Sequence, residues 1–245
     1  MFQQVTQTIR EAVYGIKCST PIENNRAACS MGTGFMIAEG VIVTAAHVIH
    51  FPEMGAQHQK FEVIRAPDIG QIMEIASLIA EDTAQDIALL RIEHPRSPQS
   101  LILEPNRVNI GTSCGSLGFP LAFLGQQGQF LLDLRFQGAF VSSYNPIGNY
   151  YETDSLMYKG SSGCPGYILN GRVFGMHNKV INKEPSSAPQ PPLNRQQRRQ
   201  QMRHQQRSQA AHVIQEQKQT DRYAISMWVP SSQIITFAHS HGITA

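Results

Sequence analysis

The stretch from Met157 to His177 limits what this chain can become more than any other. It runs Met157-Tyr158-Lys159-Gly160-Ser161-Ser162-Gly163-Cys164-Pro165, continues Gly166-Tyr167-Ile168-Leu169-Asn170-Gly171-Arg172 and ends Val173-Phe174-Gly175-Met176-His177. Two short apolar runs flank Asn170-Gly171, a strong hairpin dipeptide, so two antiparallel strands are predicted behind a glycine-rich turn. That turn presents a hydroxyl between glycines. A serine attacking a carbonyl needs backbone N–H groups aimed at the oxygen that becomes negative, here the amides of Gly160 and Ser162. A glycine turns its N–H inward without a Cβ in the way. Alone, the stretch reads by default as a plain turn.

Two upstream segments answer it. Residues 32–49 form a strand, a turn at Gly40 and a second strand that ends in Thr44-Ala45-Ala46 directly before His47. Residues 85–92 place Asp86 at the mouth of an apolar strand, Ile87-Ala88-Leu89-Leu90. Each has an ordinary reading, His47 as a core histidine and Asp86 as a strand-end turn residue.

Taken in the order His, Asp, Ser, the three segments resemble the chymotrypsin-fold serine proteases; other triad folds run in different chain orders. Thr44-Ala45-Ala46-His47 is similar to that fold's histidine motif, and Asp86-Ile87-Ala88-Leu89 to its aspartate motif. Gly160-Ser161-Ser162-Gly163-Cys164-Pro165 is similar to its Gly-x-Ser-Gly-Gly-Pro motif, with Cys164 departing from the second glycine. Thr153-Asp154 resembles a pair at the same distance before the serine in the HtrA/DegP-like branch. The resemblance covers about residues 30–182 and resumes near 223. It implies an all-β fold of two six-stranded antiparallel β-barrels closed by a C-terminal helix. It also implies a triad of His47, Asp86 and Ser162, an oxyanion hole from Gly160 and Ser162, and no metal or organic cofactor.

Length and composition fit that expectation. A chain of 245 residues, 41% hydrophobic with 19 glycines and 14 prolines, can bury two cores joined by many turns. It is too short to add the peptide-binding domain that many HtrA relatives carry. No apolar run reaches 18 residues, so no membrane-spanning helix is expected. The start, Met1-Phe2-Gln3-Gln4-Val5, lacks the pattern of a secretory signal. Four cysteines, Cys18, Cys29, Cys114 and Cys164, lack the disulfide framework of secreted trypsins: Val48 and Ile168 stand where bridging cysteines would be. A cytoplasmic setting is therefore expected.

Val5, Ile9, Val13 and Ile16 recur at helical spacing, predicting a helix over residues 2–18 within an N-terminal extension of residues 1–30. The protease domain follows over 31–245, its first barrel at about 31–95 and its second at about 110–245. In trypsin a freed N-terminus pairs with the aspartate before the nucleophile; Ser161 stands there, so activation of that kind is not expected. Residues 183–222 hold eight Lys/Arg against three Asp/Glu, net +5 in a chain of net +2. Such a Pro/Gln/Arg-rich segment cannot bury enough surface to order itself and reads as a flexible insertion. It lacks interleaved aromatics for base stacking, so a solvated loop is preferred over nucleic-acid or acidic-partner binding. Its exit from the strand carrying His177 predicts that it gates the substrate cleft or recruits a substrate or partner. Pro230-Ser231-Ser232 is expected to cap a helix over Gln233 to His239.

The implied function is a serine endopeptidase acting on protein or peptide substrates through an acyl-enzyme. A lapsed protease-fold binding module, or a nucleic-acid-associated protein using the insertion, are the alternatives. Gly175-Met176-His177 resembles the Gly-x-His of glutamyl endopeptidases and picornaviral cysteine proteases, which implies a Glu or Gln before the cleaved bond. The pocket would then be lined by Leu156, Met157, Tyr158 and His177, with Tyr158 supplying a hydroxyl; an apolar pocket from Leu156 and Met157 is the competing view.

Overall fold

The computed structural model describes residues 2–22, 26–50, 60–68, 73–96, 98–120, 123–124, 130–131, 133–182 and 224–245. The basic insertion expected at 183–222 lies outside the described residues. Helix α1 (Phe2–Arg10) leads into six strands: β1 (Val13–Ile22), β2 (Arg26–Ala38), β3 (Val41–Thr44), β4 (Lys60–Arg65), β5 (Glu74–Asp82) and β6 (Ile87–Arg91). They close an antiparallel barrel in the order β1-β2-β3-β6-β5-β4. One turn of helix, α2 (Ala46–Ile49), follows β3.

The second barrel draws on β7 (Ser113–Gly118), β10 (Arg135–Asn145), β11 (Tyr150–Thr153), β12 (Pro165–Ile168), β13 (Val173–Asn182) and β14 (Ala224–Pro230). It closes in the order β10-β11-β14-β13-β12-β7, and a small ribbon pairs β8 (Phe123–Leu124) with β9 (Phe130–Leu131). The all-β architecture of two six-stranded antiparallel barrels ends in helix α3 (Ser231–Ser240).

Burial explains why these segments are strands. All four residues of β3 are buried, as are the first four of β6, so both are walls between the first core and what packs outside it. Phe35, Ile42, Val43, Leu89 and Leu90 are fully enclosed there, each stabilising the fold by about 1.5–3 kcal/mol relative to an exposed side chain. The second core is aromatic: the ring centroids of Tyr151 and Phe174 lie 5.5 Å apart, and those of Phe174 and Trp228 5.6 Å.

Three expectations change in detail. The N-terminal helix stops at Arg10, and Val13 and Ile16 belong to β1, a first-barrel strand paired with β2 along its whole length. Their spacing fits helix or strand alike, and the unpaired edges of β2 and β4 decide the matter. Helix α1 instead lies against the second barrel, where Phe2 packs 5.7 Å from Phe136 and Thr6 hydrogen-bonds the Tyr167 hydroxyl at 2.8 Å. Helix α3 starts at Ser231, with Pro230 as N-cap and no side-chain cap; the Ser231 hydroxyl bonds the Glu104 carbonyl instead. Finally, the hairpin at Asn170-Gly171 forms, but only Gly171 has positive φ (83°). Its N–H meets the Ile168 carbonyl at 2.9 Å, giving a three-residue loop with a glycine bulge in place of a two-residue turn.

Candidate active site

His47 sits in α2, at the rim of the first barrel, with its side chain about half exposed. Asp86 ends the β5–β6 loop with φ of 57°, a left-handed conformation that aspartate tolerates better than most residues. The Asp82 carboxylate prepares that loop by accepting the N–H groups of Ala84 and Gln85, both at 2.9 Å. The Asp86 carboxylate then grips His47 twice, accepting its backbone N–H at 2.8 Å and meeting Nδ1 at 2.7 Å. A carboxylate can only accept, so Nδ1 carries the hydrogen and Nε2 is left as the base.

Residues 158–164 are two tight turns in series. The first is closed by the Ser161 N–H on the Tyr158 carbonyl at 3.0 Å, with Gly160 at φ 95° in its third position. The second is closed by the Cys164 N–H on the Ser161 carbonyl at 3.0 Å, with Gly163 at φ 85°. Positive φ at the third position is the type II form, which glycine alone adopts without strain. Ser162 stands at the second position of the second turn. The Gly163 N–H goes to the His177 carbonyl at 2.8 Å. The N–H groups of Ser161, Gly163 and Cys164 are thus all used. Among the described residues those of Gly160 and Ser162 have no acceptor.

The first barrel holds this loop through Thr33 of β2, which is fully buried. Its N–H donates to the Ser162 carbonyl and its hydroxyl to the Gly160 carbonyl, both at 2.8 Å. A Cβ on Gly163 would stand 2.0 Å from the Thr33 carbonyl oxygen, so no side chain fits there. The Ser162 hydroxyl donates a long bond, 3.5 Å, to the Asn178 carbonyl; among the described residues none joins it to His47. Cys164 fits where the motif has glycine because Gly118 faces it: a Cβ at 118 would lie 2.8 Å from that of Cys164. Burial pushes the Cys164 thiol far up, so it holds its proton.

The four expected pocket residues do not come together. Leu156 and Tyr158 point to solvent, 45% and 44% exposed, whereas Met157 turns into the second core beside Cys164 and Trp228. His177 is 2% exposed and lies edge-on to Trp228, centroids 5.2 Å apart. Neither ring nitrogen makes a well-formed hydrogen bond, the Ser161 carbonyl being at most a poorly aligned acceptor, so Tyr158 supplies it no hydroxyl. Burial drives the imidazole down to about 3; nearby His47 pushes the same way and the Ser161 backbone opposes both. Trp228 is fixed by its indole N–H on Thr153 Oγ1 at 2.8 Å. Next to Asn178, a cleft of about 280 Å³ runs between Gln85, Tyr150, Lys179 and Trp228. Among the described residues no three of His, Cys, Asp and Glu are grouped to hold a metal ion.

Thr33 and Asp82 escape a reading of the sequence. The one trace of Thr33 is its place in Gly32-Thr33-Gly34, where flanking glycines signal a close backbone approach.

A family model described as a trypsin-like peptidase domain matches residues 32–176. Curated relatives named as probable periplasmic DegP-like serine endoproteases are 26% identical over 164 residues in Ectopseudomonas mendocina and 27% over 161 in Halomonas elongata. The matches take in 66% and 63% of this chain but 32% and 30% of those proteins, so the chain spans about a third of the length of the relatives. The crystal structure of a serine endoprotease from Yersinia pestis superposes with a TM-score of 0.65 at 17% identity, over 98% of this chain and 66% of that one. At that identity the likeness is one of fold.

The relatives' names overturn the cytoplasmic setting expected from the cysteines. Three of the four thiols are enclosed, and an enclosed thiol does not require a reducing compartment. Burial pushes Cys18 and Cys114 up to about 12 and Cys164 further, which keeps the reactive thiolate scarce.

Proposed function

The chain belongs to the trypsin-like peptidase domain family, and on that premise we propose that it is a serine endopeptidase of the DegP-like kind, working in the periplasm as its relatives are named to do. His47 takes the proton from Ser162 as the hydroxyl attacks a peptide carbonyl, then passes it to the leaving amine. Asp86 holds the imidazole in the tautomer with Nε2 free and stabilises its charge. Water, activated by the same His47, releases the acyl group from Ser162.

The observation that carries this reading is the pair of amides left over when the 158–164 loop has used its others. Gly160 and Ser162 offer two N–H groups to a developing oxyanion, each donor being worth about 3–4 kcal/mol of barrier. The absence of a bond between Ser162 and His47 is compatible with it, because such bonds tighten in the substrate complex. The cleft between Gln85 and Asn178 offers a path for the substrate chain leading up to the cleaved bond.

His177 supports a preference for Glu or Gln at the residue before that bond. Its neutral ring is enclosed in the free protein and makes no well-formed hydrogen bond, so a substrate carboxylate or carboxamide meets its N–H once binding uncovers the ring, and a buried donor gains most from such an acceptor. A peptide library in which cleavage follows only Val, Ala or Leu would refute this preference.

A fluorophosphonate probe tests the enzyme itself. Labelling of the wild type, lost in Ser162→Ala, is the expected result. No labelling of a folded wild type would favour a binding module on a protease fold.

A further inference from the structure

We infer that Thr33 is a positioning residue that, from the other barrel, sets the orientation of the oxyanion hole through the peptides next to it. It holds the Gly160–Ser161 and Ser162–Gly163 peptides, which adjoin the Lys159–Gly160 and Ser161–Ser162 peptides whose N–H groups form the hole. The inference rests on the reading of Ser162 as nucleophile and concerns how its loop is kept competent.

The hole needs the N–H groups of Gly160 and Ser162 to face one point. A peptide plane can turn over with little movement of its neighbours, converting a type II turn into a type I turn, so something must fix it. Four contacts around Ser162 do this indirectly, by holding the two peptides that adjoin those bearing the hole's N–H groups. The Gly160–Ser161 peptide is held at both ends, its carbonyl by the Thr33 hydroxyl at 2.8 Å and its N–H by the Tyr158 carbonyl at 3.0 Å. The Ser162–Gly163 peptide is held likewise, its carbonyl by the Thr33 N–H and its N–H by the His177 carbonyl, both at 2.8 Å. One residue thus secures two of the loop's carbonyls.

Thr33 is itself anchored. Its hydroxyl accepts the Phe119 N–H at 3.0 Å, so it has one hydrogen to give and Gly160 receives it. Its own carbonyl accepts the Thr44 hydroxyl at 2.7 Å, and Thr44 ends the strand that precedes His47. The same residue therefore ties the loop bearing Ser162 to the segment bearing His47. Valine would keep the shape of threonine and its backbone bonds to Ser162 and Thr44, removing only the hold on Gly160 and the Phe119 acceptor. The Gly160–Ser161 peptide would then be held by its N–H alone, and the adjoining Lys159–Gly160 peptide would gain room to turn its N–H away.

The test is steady-state kinetics of Thr33→Val and Thr33→Ser on the best fluorogenic peptide amide from a positional library. A hole lacking one donor loses about 10²–10³ in kcat; a loop that samples both orientations loses part of that. Thr33→Val is therefore expected to lower kcat about ten- to a hundredfold, with KM within about twofold. The matching peptide aldehyde, whose adduct with Ser162 places an oxyanion in the hole, should bind weaker by the same factor, and the matching peptide alcohol should bind unchanged. Thr33→Ser should restore kcat to within about threefold. A wild-type kcat in Thr33→Val, a loss confined to KM, or a Thr33→Ser as impaired as Thr33→Val would overturn the inference. If Thr33→Val does not fold by circular dichroism, Thr33→Cys, a weak donor of similar volume, takes its place with an intermediate loss expected. A wild type that neither turns over substrate nor labels at Ser162 would instead strike the triad reading.

Discussion

Replacing His177 by phenylalanine should flatten the loss of stability toward acid. The imidazole is enclosed, and burial lowers its pKa from the ordinary 6.5 to about 3, so the folded protein refuses a proton that the unfolded chain accepts between those values. Stability is therefore full above about pH 6.5, falls by about 1.4 kcal/mol per pH unit below it, and levels off beneath about pH 3. At pH 5 the loss from this one residue is about 2 kcal/mol, a large share of a typical 5–15 kcal/mol. The carboxylates held below their ordinary values act only under about pH 4.5: Asp68 through the Arg65 guanidinium, Asp82 through the Gln85 N–H, and Glu62, against its own burial, through Lys17 and Lys60.

The measurement is urea unfolding at half-unit steps from pH 8 to pH 5, with both proteins carrying Ser162→Ala to prevent self-digestion. Overpacking by phenylalanine costs about 1–3 kcal/mol, the same at every pH, so the slopes are compared and not the absolute stabilities. The His177 protein should lose about 2 kcal/mol more between pH 7 and pH 5 than His177→Phe. Two parallel curves would mean that the ring is reached by water or finds an acceptor, and the argument from its isolation would fail.

Three other outcomes follow from the same geometry. Of the four thiols, Cys29 alone is exposed, so a disulfide reagent should modify one per native chain quickly and all four after unfolding. Gly163→Ala drives a Cβ against the Thr33 carbonyl at a φ of 85°, so fluorophosphonate labelling should vanish and the melting temperature should fall by several degrees at least. Asp86→Asn keeps the shape of the side chain but lets Nδ1 accept a hydrogen in place of giving one. The base at Nε2 is then occupied, and kcat should fall by about 10⁴ with the fold retained on circular dichroism.

What could be read from the sequence was what local residue type decides. Hydroxyl and glycines in one turn, small residues before His47 and an acid before an apolar strand are all visible in windows of a few residues. The pocket was harder because counting back from Ser162 gives a distance along the chain but not the side a residue faces. The backbone there alternates: Ser155 and Met157 are buried, and Leu156 and Tyr158 exposed. Two of the four expected pocket residues are thus turned outward. Val13 and Ile16 failed for a different reason, since an open barrel edge is a property of strands more than forty residues away in part. The cysteines misled because their number was visible and the burial of three of them was not.

Thr33 shows why the supporting residues stay hidden while the reactive ones do not. A nucleophile is constrained by its own chemistry, whereas a brace is constrained only by what it reaches, here carbonyls 127 and 129 positions further along. A threonine inside a strand is ordinary, and it becomes informative only once the barrels are closed and packed. The consequence is mechanical. The carbonyls of Gly160 and Ser162 are both gripped by the first barrel, so the second barrel, which closes the two turns through their N–H groups, holds only half of the contacts that keep its two free amides exposed. Loosening the barrel interface should therefore cost activity before it costs either barrel its core.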